Sequence, residues 1–140
     1  MTKDMKGILA DELLNHVIEI IPPVPHHRSL QYLFESDILL IIQPRAPLQI
    51  PAKLFEYMYL RKPILAITEE DSATADIIRQ AQLGIIVDPE DIPSIKKAIQ
   101  NLYRQYQTGT LPSYGDISVI QQYDVRILAL KFARLLDKLL

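Results

Sequence analysis

Two charged residues three apart, Lys53 and Glu56, stand in the run Pro51-Ala-Lys-Leu-Phe-Glu-Tyr-Met-Tyr-Leu-Arg61. Proline is a favoured first helical residue, and this spacing puts Lys53 and Glu56 on neighbouring parts of a helix surface. A helix start presents unpaired N–H groups and the positive end of the helix dipole. After a parallel strand it forms an anion site, and the natural anion is a diphosphate. Lys53, in the first turn, adds a cation toward phosphate. Glu56 offers a carboxylate that can accept both hydroxyls of a ribose. Arg45, in the loop Gln43 to Ile50 after an apolar run, is a further candidate nucleotide contact. The plainer readings of the first two are a surface lysine and a solvated helix glutamate.

Other chemistries are poorly represented. The chain has no Cys, which excludes a disulfide framework, a zinc–thiolate site and a Cys nucleophile. Ser and His occur without nucleophile-elbow spacing, and no paired carboxylates stand out, so no catalytic residue is assigned. His26-His27 has no evident third ligand and reads as a turn or helix start. Glu69-Glu70-Asp71 reads as a solvated loop and helix cap, and no metal site is expected. Only 4 Gly occur, in neither of the phosphate-loop spacings. A net charge of −2 gives no basic footprint for nucleic acid. No apolar run reaches the roughly 18 residues of a membrane helix. Met1 to Gly7 lacks the apolar core of a signal peptide, so a cytoplasmic location is expected. With 140 residues, 49% of them hydrophobic, the chain is expected to form one domain with a sizeable core.

The elements that must position these residues are short apolar runs alternating with helical patterns. Val17 to Ile21, Asp37 to Ile42, Pro63 to Ile67 and Gly84 to Val87 read as strands. The second is apolar on both faces, as a buried parallel strand is. Runs this short also suit buried helix, and the flanking Pro, Gly and Asp favour strand. Arg28 to Ser36, Pro51 to Arg61, Ser72 to Gln82 and Ile92 to Gln107 read as helices. Asp91 is a good cap for the last, and Gly84 suits a stop after the third. Strands alternating with helices predict an α/β fold with a parallel sheet. The expected organisation is a single domain: an α/β core over 17–107, a connector over 108–123 and a C-terminal helix over 124–140. Its apolar stripe is read as Ile127, Leu128, Leu130, Ala133, Leu135, Leu136 and Leu139. Its cations Arg126, Lys131, Arg134 and Lys138 read as a solvated face, not a lipid patch.

The segment Ile50-Pro-Ala-Lys-Leu-Phe-Glu-Tyr-Met-Tyr-Leu-Arg-Lys-Pro-Ile-Leu-Ala66 resembles the stretch P-G-K-L-F-E-Y-L-A-A-G-K-P-I-L-A of family-4 glycosyltransferases. Those are GT-B enzymes that use nucleotide-activated sugars. Leu30-Gln-Tyr-Leu-Phe-Glu-Ser-Asp37 is similar to the family's helix before an A-D-hydrophobic strand. Gly84-Ile-Ile-Val-Asp-Pro-Glu-Asp91 is similar to its G-hydrophobic-V-x-P-x-D strand and loop. The resemblance runs from Val17 to Tyr106 and more weakly to the terminal helix.

The resemblance implies part of the GT-B C-terminal domain: a three-layer Rossmann-like parallel sheet of about four strands flanked by helices. Glu56 then matches the second Glu of the family's E-x7-E motif and holds the ribose of a UDP- or GDP-linked sugar. The first Glu falls on Leu48, a departure that removes the usual donor-sugar contact. Ala52 stands where Gly is common, and is small enough for phosphate to approach. The Glu69 loop borders the donor sugar by family position. The "G-R" and "K-G" elements that clamp the diphosphate, and the acceptor-binding domain, are expected to lie outside this sequence, leaving the chain inactive alone. In the strand order of the family, Asp37 to Ile42 becomes an apolar edge. Either Val17 to Ile21 pairs with it or a second copy covers it, and a dimer is the favoured expectation. Two other readings stay open. One is a non-catalytic α/β interaction module that dimerises through its sheet edge. The other is a nucleotide-sugar epimerase of the same architecture.

Overall fold

A computed structural model describes Leu14 and residues 16–139. The chain divides between Tyr32 and Leu33 into two units, the second of which holds the sheet. The elements are α1 (His26–Glu35), β1 (Leu39–Ile42), α2 (Ala52–Leu60), β2 (Ile64–Ile67), α3 (Ala73–Gln80), β3 (Gly84–Val87), α4 (Ile92–Gln107), α5 (Ile117–Ile120), a 3-10 turn (Gln121–Tyr123) and α6 (Val125–Leu136). The architecture is α/β. Three parallel strands form one sheet in the order β1-β2-β3. Leu39 pairs with Ile64, and Ile64 with Gly84.

Alternation along the strands sends side chains to opposite faces. Leu39 and Ile41, Ile64 and Ala66, and Ile86 join one cluster with Leu54 and Met58 of α2 and Ile77 and Ile78 of α3. Leu65 and Val87 join a second cluster with Ala98 and Leu102 of α4. The central strand β2 is therefore apolar on both faces, as parallel strands between helices are.

Two helix ends show how the sequence fixes these elements. Ser72 caps α3, its Oγ accepting the Ala75 N–H at 3.1 Å. Asp91 caps α4 by accepting from the Ser94 N–H at 3.0 Å and the Ser94 hydroxyl at 2.6 Å. At the C-terminal end of α1, the Lys62 ammonium donates to the carbonyls of Leu33, Phe34 and Ser36 and lies 5.4 Å from the Phe34 ring centroid. A cation there offsets both the unpaired carbonyls and the negative dipole end.

The structure corrects the sequence expectation in three places. Val17 to Ile21 is no strand, so the described residues hold three strands rather than four. The N–H groups of Val17 and Ile18 bond back to the Leu14 carbonyl at 3.0 and 2.9 Å, which turns the chain. Pro22, Pro23 and Pro25 follow and have no N–H to give a ladder. Next, the connector over 108–123 contains α5 and the 3-10 turn, and Ile120 is buried in the first cluster. Finally, the left-handed residue after α3 is Gln82, at φ 52°, not Gly84. Gly84 lies in β3, where a Cβ would run into the Ile64 backbone, 2.6 Å from its nitrogen.

Candidate functional site

Parallel α/β sheets bind ligands beyond the carboxyl ends of their strands. Here that end is a cleft of ≈ 580 Å³ lined by Ile42, Pro44 and Arg45 after β1, Ile67 and Glu69 after β2, and Asp88, Pro89 and Glu90 after β3. Each charged lining residue lies within three positions of a strand end, so the sheet itself brings them together.

The loop after β1 is stapled in place. The Gln43 amide donates to the Gln49 carbonyl at 2.9 Å, and the Thr74 hydroxyl donates to the same carbonyl at 3.0 Å. The Ala73 N–H donates to the Pro47 carbonyl at 2.7 Å. Thr68, fully buried, donates to the Gln43 carbonyl at 3.2 Å and lies 3.0 Å from the Ser72 hydroxyl. Arg45 takes the left-handed conformation, φ 60°, and its N–H donates to a Glu69 carboxylate oxygen at 2.6 Å. That bond above all holds the Glu69 carboxyl below the usual range. The Glu69 N–H, the Thr68 hydroxyl and the Arg45 charge act in the same sense, against the opposing pull of burial. Glu69 is thus ionised at neutral pH. The other Glu69 oxygen and the Gln43 side-chain oxygen are enclosed and accept no hydrogen bond from the described residues. The lining carries one cation, Arg45, against three carboxylates.

The predicted site residues separate into two groups. Arg45 lines the cleft. Ala52, Lys53 and Glu56 sit on α2, all exposed, and none lines the cleft. The N-cap of α2 is Pro51, which makes no side-chain cap bond, so the first turn keeps N–H groups with no side-chain acceptor. Burial raises the Tyr57 phenol above its ordinary range, and the Glu56 charge adds to the shift. Tyr57 packs in the core, and the Phe55 and Tyr123 ring centroids are 5.8 Å apart. Leu48 is 91% exposed, so it fills no core position either.

Sequence reasoning missed Asp88 and Glu90 as cleft residues. Their signal was available: they follow Val87 closely at the end of a strand. Of the acidic triplet, Glu69 faces the cleft, while the cap of α3 is Ser72 rather than one of the acids. The carbonyl of Glu70 accepts from Arg79 at 2.9 Å. His26 and His27 open α1. Among the described residues, no group of three or more His, Asp and Glu side chains is placed to hold a metal ion. Among them too, no helix is long and apolar enough to cross a membrane. Compared with family models, curated proteins and solved structures, the chain finds no significant match.

Proposed function

We propose that the chain is the nucleotide-sugar-binding part of a cytoplasmic glycosyltransferase, a partial three-layer Rossmann-like domain of GT-B type. Enzymes of that type transfer a sugar from a nucleotide-linked donor, and this chain would supply the part that binds a UDP- or GDP-linked sugar. One observation carries the reading. The segment that resembles the family spans the loop end, α2 and β2 of a parallel sheet, and α2 starts without a side-chain cap. An uncapped helix start suits a diphosphate. Lys53 and Glu56, both exposed on that helix, suit a phosphate and a ribose diol. Ala52 leaves room at the helix start, and Arg45 supplies a cation in the adjoining loop. No metal enters this scheme.

The test is a titration of the chain with UDP, GDP and ADP followed by NMR. The expected result is a set of shifts centred on Lys53 and Glu56 that vanish in Glu56→Ala, with the preferred nucleotide naming the base. No shift at millimolar nucleotide would overturn a donor site in this chain.

A second reading is favoured by a separate observation. Strand β1 is at the sheet edge, and Leu40 and Ile42 are 45% and 57% exposed. An apolar, uncharged edge is a template for strand pairing. The corresponding function is a non-catalytic interaction module that dimerises through β1. It predicts a solution mass of two chains, reduced to one by Ile42→Lys, and no nucleotide affinity.

A further inference from the structure

Helix α6 is exposed on every side: each residue from Val125 to Leu139 stands open to solvent, and none is buried by the rest of the chain. Yet the helix is strongly two-sided. Val125, Leu128, Phe132, Leu135 and Leu139 follow one another at intervals of three and four, and at about 100° per residue they share one face. Phe132 and Leu135 are 64% and 58% exposed. Lys131 and Lys138 border that face along one flank, and Arg126 and Arg134 lie farther round on the polar side. Against these four cations the helix and its last turn carry one acid, Asp137, on a chain whose net charge is −2. Ile127 and Leu130 interrupt the polar side. Asp124 caps the helix by accepting from the Arg126 N–H at 2.8 Å, so the element begins at a defined point.

A stripe of this kind is unfavourable in water unless something covers it. The charge pattern decides between covers. The intervals are those of heptad positions a and d, with Lys131 and Lys138 beside them on one flank and Ala129 and Leu136 on the other. An antiparallel pair of α6 helices would set lysine against lysine, and a parallel pair would gain no ion pair. Two heptads are also short for a stable coil. An anionic lipid surface matches both properties at once. Apolar side chains enter the acyl boundary, and flanking lysines reach up to the headgroups.

We propose that α6 is a membrane-surface helix that lies flat on anionic lipid through Val125, Leu128, Phe132, Leu135 and Leu139, with Lys131 and Lys138 on the headgroups. Arg126, Lys131, Arg134 and Lys138 are solvated in the structure, as the sequence reading has them; the proposal adds an anionic surface for the two lysines to meet. This inference is independent of any nucleotide site.

The test is co-sedimentation of the full chain with vesicles of phosphatidylcholine alone or mixed with phosphatidylglycerol. The expected result is binding to the mixed vesicles only, weakened by high salt. Leu128→Asp with Phe132→Asp abolishes it. Lys131→Glu with Lys138→Glu, which keeps the apolar stripe and the fold, weakens it about tenfold or more, from the loss of roughly one favourable contact per cation at an anionic surface. No binding to the mixed vesicles overturns the proposal, as does equal binding to both vesicle types. So does a two-chain mass in lipid-free solution that the Leu128→Asp, Phe132→Asp variant converts to one chain, since a second copy would then cover the stripe.

Discussion

Gly84 shows how one residue sets the spacing of the sheet. It pairs with Ile64 across β2 and β3, and a Cβ there would meet the carbonyl and nitrogen of Ile64, which are backbone and cannot swing away. Its φ is not in the left-handed region, so the requirement is space rather than conformational freedom. Gly109 is the converse: its φ is 65°, and an added Cβ would find nothing within 4 Å. Gly84→Ala is therefore expected to cost about 3 kcal/mol, the upper end of ordinary overpacking. Gly109→Ala, which meets only backbone strain, is expected to cost about 1 kcal/mol. Urea midpoints of the two variants check the order, and an equal loss would mean that β3 shifts to accommodate the methyl. Read from its neighbours in sequence, Gly84 suits two roles, helix stop and strand start. Only the packing distance distinguishes them, and that is set by Ile64, twenty residues earlier.

Helix ends are where the elements respond to pH. Asp91 and Asp116 cap α4 and α5, and in each the carboxyl is held below its ordinary range, first by a serine hydroxyl and then by that serine's N–H: Ser94 for Asp91, Ser118 for Asp116. Glu69 is lowered in the same sense by the Arg45 N–H. A carboxyl with a depressed folded pKa stabilises the fold fully above its unfolded value, about 4, and loses that contribution as pH falls through the folded value. The urea midpoint is expected to fall on acidification below about pH 4. In the double variant Asp91→Ala, Asp116→Ala, the neutral-pH midpoint is lower and the acid slope shallower. An unchanged slope would assign the acid response elsewhere. The elements themselves were largely legible. The apolar runs at 37–42, 63–67 and 84–87 and the Asp91 cap carry local signals that tertiary contacts did not override, whereas the cap of α3 fell to Ser72 and not to the acids before it. Val17 to Ile21 has the same β-type composition, but strand state needs a partner, and three prolines follow it. Ile120 sits in a polar, turn-rich stretch whose burial depends on the Asp116 cap and the Ala81 and Gln82 carbonyls, which accept from the Asp116 and Gly115 N–H groups at 2.8 and 3.0 Å. No local pattern announces that.

Over the whole chain, side chains of one type sit in two very different environments. Around the sheet, leucines such as Leu54, Leu83 and Leu102 are almost fully enclosed, whereas along α6 Leu128, Leu135 and Leu136 remain in contact with solvent. Composition and periodicity cannot separate Leu54 and Leu102 from the leucines of α6, because both sets show amphipathic helical spacing; only the presence of a facing sheet does. The candidate site shows the same limit. Arg45 and the α2 residues were visible as types and spacings. The acids at 69, 88 and 90 become neighbours only because strands end side by side, which is a property of parallel order and not of any segment. The two environments give a direct comparison. Leu102→Ala opens a cavity beneath α4 and is expected to cost about 2–5 kcal/mol. Leu135→Ala removes methyl groups that already face water, and Ala is the better helix former, so its effect is expected to lie within about 0.5 kcal/mol. Thermal unfolding of both variants in lipid-free buffer makes the measurement. If Leu135→Ala costs as much as Leu102→Ala, the stripe of α6 is covered by protein in solution. A small effect would leave that face available to a partner that the buffer does not contain.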